Sequence, residues 1–517
     1  LLKGAPNTYL LNELFNKTKI IVFSKTFNLL LDFIKILKNS ILFLDLNIIK
    51  LVFKKETPFS KHLSSDNSNK IFIQYFKINY SGPRSPLIWF QNSNIKPNNI
   101  VMYFDRKDSL ATIENKKEIE EDGYHWIDTK NIFCLSNPLL VLLNSFKDIL
   151  KILFYKEKKS VGIWSKIIMI EIVVKTWFWR DVFQRHKCKL IFQIEEGHAM
   201  QYSQLMAVNL EGGAMIGFTW SMPNSYKVND EFFPQNVYFT WGNINRDWLL
   251  NSNYRPQWII TSGMIWDLDI DGNYENIGIA LRESFSEKVK YVMALTDVTF
   301  KDYTAETFKE YYKTLLTFAV SHPEWGVLIK PKHHRKWEQI DSHISDLVKQ
   351  LDFEKRLVIA IDRLSPVVIP FVSDICIGLW INSAAVIAGV KGALSLSWDG
   401  SGCSGHPLYK SKNSIIVYKD LSEIITVLDN FSPELRTTLL NEEKESILND
   451  VDSFRDNKGP VRIGTWISNY MFLINSGLSN DAALKKASLD YGDTYGQSNV
   501  LELEKYKSPN NMLKNSW

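Results

Sequence analysis

The sequence of 517 residues predicts an α/β protein with two doubly wound domains and C-terminal helices that pack back onto them. The chain is longer than one ordinary core accommodates, so two domains are expected. Short apolar runs alternate with helical stretches along most of it, which is typical of parallel sheets covered by helices. Polar stretches at 54–70 and 267–283 predict a linker and an interdomain hinge.

These boundaries divide the chain into four parts. The first is a helical segment with its linker, the second and third are the two α/β domains, and the fourth is helical. In order they are 1–70, 71–266, 284–450 and 451–517.

The first domain is predicted from apolar runs of about four to eight residues, the usual length of buried strands. The predicted strands are 71–78, 99–104, 132–135, 188–194, 214–220, 236–241 and 258–262. Two longer stretches between them, 162–186 and 202–209, predict helices.

The second domain repeats this alternation. Its predicted strands are 291–295, 326–330, 357–360, 375–378, 393–396 and 415–418. Helices are predicted at 305–320 and 336–350, and another begins near 367. The part from 433 to about 491 is predicted to be helical, and its last helix runs into a glycine stop signal.

Composition narrows the class of protein. Hydrophobic residues make up 45% and charged residues 23%, as in soluble globular proteins. A net charge of +4 is too small to indicate a nucleic-acid partner. The four cysteines, Cys134, Cys188, Cys376 and Cys403, have no CxxC spacing. We expect reduced thiols in a cytoplasmic protein, with no disulfide framework and no metal site.

Residues 19–53 are apolar but carry charges that interrupt every stretch long enough to span a membrane. One interpretation is a pair of amphipathic core helices. The other is a lysine-bearing helix that lies on the inner membrane face, as a peripheral contact. The interrupting residues are Lys25, Asp32, Lys35, Lys38 and Asp45.

The segment 372–409 carries the strongest functional signal. It predicts a short strand, a turn, a helix of small residues, a second strand and a Gly/Ser loop. The start of such a helix exposes N–H groups and hydroxyls where phosphate binds well. Asn382, Ser383 and Ala384 are therefore candidate donor-binding residues, and an ordinary helix cap is the alternative.

A basic segment precedes it, LIKPKHHR at 328–335. It is an apolar strand end that delivers Lys330, His333 and Arg335 into the following loop. These side chains are candidates for phosphate contact, and a solvated basic loop is the alternative.

Two further candidates belong to the same predicted donor site. Ser365 precedes a proline and is predicted to cap the next helix, where it is also a candidate for nucleotide contact. His406 lies in the Gly/Ser loop and is a candidate for contact with the donor's sugar or phosphate.

Candidate catalytic residues follow the predicted strand 188–194 of the first domain. Glu195, Glu196 and His198 place three titratable groups within four residues. A partly desolvated carboxylate at the end of a strand has a raised pKa and can accept a proton near neutral pH. The alternative is that one of these groups only caps the next helix.

Five segments together carry a family resemblance. They are YFTWGNINRDWL at 238–249, WIITSGM at 258–264, LIKPKHHR at 328–335, DRLSP at 362–366 and SDICIGLWINSAAVIAGVKG at 373–392. In order and spacing they resemble bacterial surface-polysaccharide glycosyltransferases of the GT-B type, whose fold is two Rossmann-like domains. The chain is similar to capsule Kdo transferases and, more distantly, to CDP-glycerol glycerophosphotransferases. It has KPKHH where that pattern has KPHP, and it lacks their HGT motif.

The resemblance implies that a donor nucleotide lies against the second domain and the acceptor against the first. It also implies transfer without a metal ion or cofactor. The expected activity is transfer from a CMP- or UDP-linked sugar to a glycan or lipid-linked acceptor of the cell envelope. A nucleotide-sugar 2-epimerase and a non-catalytic binding scaffold are the alternatives. The chain has no P-loop and no GxSxG motif, which argues against ATPases and serine hydrolases.

Overall fold

The computed structural model describes most of the chain after the N-terminal segment, with gaps in several loops. The described residues are 59–60, 63, 68–75, 85, 87–104, 112–129, 135–154, 163–193, 199–222, 233–251, 255–265, 273–298, 305–332, 337–360, 364–400, 408, 417–443 and 448–503. The predicted N-terminal helices therefore lie outside the described residues.

The first domain is a parallel sheet with strand order β7-β6-β5-β4-β1-β2-β3. Apolar residues alternate little along these strands, because both faces of the sheet are covered by helices. The strands are β1 (Lys70–Gln74), β2 (Ile100–Phe104), β3 (His125–Asp128), β4 (Cys188–Gln193), β5 (Ala214–Phe218), β6 (Val237–Thr240) and β7 (Trp258–Thr261).

Among the described residues, five helices connect these strands. They are α1 (Ile113–Glu121), α2 (Pro138–Phe154), α3 (Ile163–Arg185), α4 (Ala199–Leu210) and α5 (Asn243–Asn251). Thr112 caps α1, because its side chain accepts a hydrogen bond from Asn115 N–H. Among the described helices, none is long and apolar enough to cross a membrane.

In the described part of the second domain, six strands form a parallel sheet in the order β10-β9-β8-β11-β12-β13. The strands are β8 (Tyr291–Thr296), β9 (Trp325–Lys330), β10 (Leu357–Ile359), β11 (Ile375–Leu379), β12 (Leu394–Trp398) and β13 (Val417–Tyr418). The helices are α6 (Tyr274–Glu283), α7 (Ala305–Ser321), α8 (Trp337–Ile340), α9 (Ser342–Phe353), α10 (Ile369–Val372), α11 (Ser383–Val390), α12 (Leu421–Asp429) and α13 (Pro433–Glu443). The two predicted parallel α/β domains are confirmed.

The segment predicted as an interdomain hinge, 267–283, contains α6 instead of a simple turn. This helix packs against the second domain, where a β-carbon at Gly278 would lie 2.3 Å from Cβ of Phe371. Only glycine permits this approach. Since Phe371 lies in α10 of the second domain, the contact places α6 in the helical layer of that domain.

The C-terminal part packs back, as predicted, and the structure places it against the first domain. It consists of α14 (Asn449–Val451), α15 (Gly459–Asn475), α16 (Asn480–Tyr495) and β14 (Val500–Glu502). β14 pairs antiparallel with β7 and is the eighth strand of the first sheet among the described residues. The Tyr491 hydroxyl donates to the carbonyl of Thr261 at 2.7 Å, and the guanidinium of Arg462 donates to the carbonyl of Ser262 at 3.1 Å.

The apolar core of the first domain continues into the second. Trp380, Ile381 and Val386 of the second domain are buried and pack in the same cluster as Phe218 and Trp241 of the first. The two domains are therefore held together by apolar contact beside the carboxyl ends of their strands. Elsewhere in the cores, Cys188 and Cys376 are buried and form no disulfide, and the other two cysteines lie outside the described residues.

A buried basic cluster lies at the opposite, amino edge of the first sheet. Burial lowers the pKa of His186 from 6.5 to about 3, and the nearby Arg185, His125 and Lys70 act in the same direction. The ring of His186 packs edge-on against Phe59, with 5.6 Å between centroids. His186 is therefore neutral in the folded protein at neutral pH.

The lowered pKa of His186 predicts that the folded protein loses stability in acid. The unfolded chain binds a proton at His186 below pH 6.5, whereas the folded protein does not until about pH 3. The contribution of His186 to stability is therefore lost as pH falls below 6.5, at about 1.4 kcal/mol per pH unit. Urea unfolding of the wild type and of His186→Leu at pH 7.0, 6.0 and 5.0 measures it. If the free energy of unfolding changed equally with pH in both proteins over that range, the lowered pKa of His186 would be contradicted.

Candidate functional site

The strand order of each sheet reverses at one point, between β1 and β4 in the first domain and between β8 and β11 in the second. Ligands of doubly wound sheets bind at such points, beyond the carboxyl ends of the strands. In the second domain the strand ends are aligned, because Thr296 is paired with both Gly378 and Lys330. Residues that follow these strands therefore meet above one crevice.

The start of α11 is brought down onto this crevice by close packing. A β-carbon at Gly378 would lie 2.8 Å from Cβ of Ala385 and 2.9 Å from Nδ2 of Asn382. The connecting residue Trp380 has φ 58°, in the left-handed region, which turns the chain sharply from β11 into the helix. Glycine and alanine at these positions thus allow the helix start to lie directly on the strand ends.

Asn382 fixes this turn. Its side chain is 4% exposed, and its Oδ1 accepts from Ala385 N–H at 2.9 Å as the N-cap of α11. Its Nδ2 donates to Thr296 Oγ1 at 3.1 Å and to the carbonyl of Leu379 at 3.2 Å. The asparagine side chain thereby ties α11 to β8 across the reversal point. The N–H groups of Ser383 and Ala384, in the first turn of the helix, have no intrahelical acceptor.

Replacing Asn382 by alanine is expected to lower the free energy of unfolding by about 2 kcal/mol. It removes the cap of α11 and leaves the buried Thr296 hydroxyl and Leu379 carbonyl without their donor. Asn382→Asp keeps the capping oxygen and loses only the donors, so we expect an intermediate value. Chemical denaturation of the three proteins measures this order, and equal stability of all three would contradict the structural role.

Ser383 links the two domains. Its Oγ accepts a hydrogen bond from the backbone N–H of Met222, at 3.0 Å. Met222 follows β5 of the first domain, and its sulfur accepts from Asn245 Nδ2 at 3.7 Å. The start of α11 therefore faces the carboxyl edge of the first sheet across the interdomain contact.

Asp297 also holds together segments that border the crevice, and it was not predicted as a site residue. It follows β8 and is 4% exposed. Its carboxylate accepts from the Tyr312 hydroxyl at 2.9 Å and from Lys332 N–H at 2.6 Å. The segment after β9 is thus held beside β8, and that segment carries the half-buried Lys330 and the exposed Lys332.

The first domain presents buried polar groups at the facing edge. Gln193 ends β4, Thr219 follows β5, and Gln235 and Asn245 lie next to β6; each is at most 4% exposed. Their side-chain oxygens have no hydrogen-bond partner among the described residues. Since buried polar groups are almost always paired, these oxygens are candidates for contact with a bound molecule.

Of the predicted site residues, the described part contains Lys330, Ser365, Asn382, Ser383 and Ala384. Ser365 caps the short 3-10 helix Pro366–Val368, because its Oγ accepts from Val367 N–H at 3.4 Å. The remaining candidates, Glu195, Glu196, His198, His333, Arg335 and His406, lie outside the described residues. Contact with donor or acceptor stays a prediction for all of them.

Comparisons with known proteins returned similar solved structures. A variant of the wall teichoic acid polymerase TagF has a TM-score of 0.47 and 10% identity, over 87% of this chain and 99% of that one. The UDP-GlcNAc 2-epimerase of Neisseria meningitidis bound to UDP-GlcNAc has a TM-score of 0.46 and 10% identity, over 74% and 97%. A glycosyltransferase from Rickettsia africae has a TM-score of 0.44 and 10% identity, over 79% and 99%.

No protein-family model matches the chain, and no curated protein matches it in sequence. Similarities of this size transfer no function to the chain. A functional assignment therefore depends on its own residues.

Proposed function

We propose that this chain is a GT-B glycosyltransferase that uses a CMP- or UDP-linked sugar to build a cell-surface polysaccharide. The observation that supports it is the position of α11. The helix begins at the strand-order reversal between β8 and β11, and Ser383 there contacts Met222 of the first domain. A phosphate held at this helix start would bring the attached sugar to the first domain.

The donor's phosphate is assigned to the start of α11. The first-turn N–H groups of Ser383 and Ala384 donate hydrogen bonds to it, and the helix dipole favours its negative charge. Lys330, next to Thr296 on the neighbouring strand, adds positive charge, as does Lys332 in the segment held by Asp297. These groups stabilise the departing phosphate in the proposed reaction, which uses no metal ion.

The acceptor is assigned to the first domain. Gln193, Thr219 and Gln235 offer buried hydrogen-bonding oxygens to its hydroxyl groups. In the proposed step, an acceptor oxygen bonds to the anomeric carbon of the donor sugar while the bond from that carbon to the phosphate oxygen breaks. The proton of the hydroxyl passes to Glu195, Glu196 or His198, and the nucleotide leaves with the bonding electron pair.

A product assay tests the proposal. The protein is incubated with CMP- and UDP-linked sugars, with and without a surface-glycan or membrane fraction as acceptor. Transfer predicts nucleotide release only with acceptor, and loss of that release in Glu195→Gln, Glu196→Gln or His198→Gln. Glu283→Gln, an exposed glutamate on α6, is the matched control.

Two other outcomes would contradict transfer. An isomerised sugar formed without any acceptor would identify a nucleotide-sugar 2-epimerase that uses the same crevice. Nucleotide binding without any product would favour a non-catalytic scaffold.

A further inference from the structure

The outward face of α2 in the first domain is apolar, the reverse of an ordinary surface helix. Leu139, Leu143 and Phe146 are 65%, 57% and 58% exposed. Leu142, Leu150 and Leu153 are also exposed on the same helix. Apart from the adjacent pair Leu142 and Leu143, consecutive members of this set are three or four positions apart, so the six residues form one stripe along the helix.

The opposite face of α2 packs on α3, so the exposure does not come from a helix detached from the domain. The indole N–H of Trp177 on α3 donates to Asp148 at 2.8 Å. The ammonium of Lys166 donates to the carbonyl of Leu153 at 3.2 Å. Ile168 and Met169 of α3 are also exposed, at 46% and 44%.

Positive charge borders the stripe. Lys147 and Lys151 are exposed on α2 beside it. The acidic residue of α2, Asp148, is half-buried and is bound by Trp177 and by Lys151 at 3.2 Å. In the sequence, lysines recur directly after the helix, at 156, 158 and 159. An apolar helix face with lysines at its border is typical of helices that lie in the interface of an anionic bilayer.

We propose that the leucine stripe of α2 (Leu139, Leu142, Leu143, Phe146, Leu150 and Leu153) docks the protein on a membrane that contains anionic lipid. The apolar side chains enter the boundary between headgroups and acyl chains, and Lys147 and Lys151 contact the headgroup phosphates. This site is separate from the nucleotide crevice and does not depend on the proposed transfer. If transfer is also correct, the docked first domain would meet a lipid-linked acceptor at the membrane surface.

Co-sedimentation of the full chain with vesicles tests the proposal. We expect the wild type to bind vesicles of phosphatidylglycerol and phosphatidylcholine, and to bind pure phosphatidylcholine more weakly. Leu143→Glu with Phe146→Glu is expected to lower the apparent vesicle affinity by at least about tenfold. Phe353→Glu is the matched control, because Phe353 is 90% exposed on α9 of the second domain and is expected to change nothing.

A second double variant, which changes only exposed lysines, separates loss of membrane binding from loss of folding. Lys147→Glu with Lys151→Glu leaves the leucines in place and is expected to remove the preference for phosphatidylglycerol. Wild-type protein that does not bind vesicles would overturn the proposal, as would undiminished binding by the Leu143 and Phe146 double variant. A wild-type dimer that this double variant converts to a monomer, without vesicle binding, would assign the stripe to a second copy of the chain.

Discussion

Replacing Gly242 by alanine is expected to lower the free energy of unfolding by about 3 kcal/mol or more. A β-carbon at this position would lie 2.3 Å from the carbonyl oxygen of Asp450 and 2.7 Å from that of Val451. Both are backbone atoms of the segment that returns to the first domain, so they cannot move aside as a flexible side chain would. Overpacking against fixed atoms of this kind is among the costlier substitutions.

Gly217→Ala in the adjacent strand is the matched control. Its β-carbon would meet only side-chain atoms, Cγ of Gln235 at 3.0 Å and the ring of Tyr238 at 3.1 Å. We therefore expect a smaller loss of stability, which urea unfolding of both variants measures. Equal losses would contradict the close packing of the segment around Asp450 on the end of β6.

Ala384→Asp is expected to weaken nucleotide binding by at least about 100-fold while leaving the fold intact. An aspartate in the first turn of a helix is favourable to the helix dipole, so the folded protein gains rather than loses stability. The same carboxylate would stand where the donor's phosphate binds. Two like charges about 4 Å apart near a protein surface repel by about 4 kcal/mol. Titration calorimetry with the nucleotide that stabilises the wild type most measures the effect.

His343→Asp is the control for this substitution. It places the same charge at the equivalent second position of α9, whose first turn also lacks an acidic residue. That helix connects β9 to β10, away from the reversal point between β8 and β11. If both variants bind nucleotide as the wild type does, the phosphate does not lie at the start of α11.

Most of the fold could be predicted, because buried parallel strands are continuous apolar runs. β3 (His125–Asp128) was missed, since its sequence HWID begins and ends with polar side chains and has only two apolar residues. α6 was predicted as a hinge, because its sequence YENIGIALRE is half polar and contains a glycine. That glycine is needed because the helix packs closely against Phe371, which lies 93 positions further along the chain. No local sequence pattern reveals such a contact.

The candidate site could be predicted only where its signal is local. Asn382, Ser383 and Ala384 could be proposed as candidates, since a strand, a capping residue and a small-residue helix follow one another in the sequence. Asp297 was missed, because a single aspartate after a strand becomes informative only when Lys332 N–H and the Tyr312 hydroxyl are seen to bind it. The contact of Ser383 with Met222 joins residues 161 positions apart, and only the folded arrangement of the two domains creates it.

The central claim is that a nucleotide binds at the start of α11, between the two domains. Hydrogen–deuterium exchange of the wild type, with and without a saturating concentration of UDP or CMP, tests it most directly. Binding there predicts slower amide exchange in 379–388 and in 330–332, with exchange at the amino edge of both sheets unchanged. Unchanged exchange in both segments, or protection confined to the amino edge of either sheet, would contradict it.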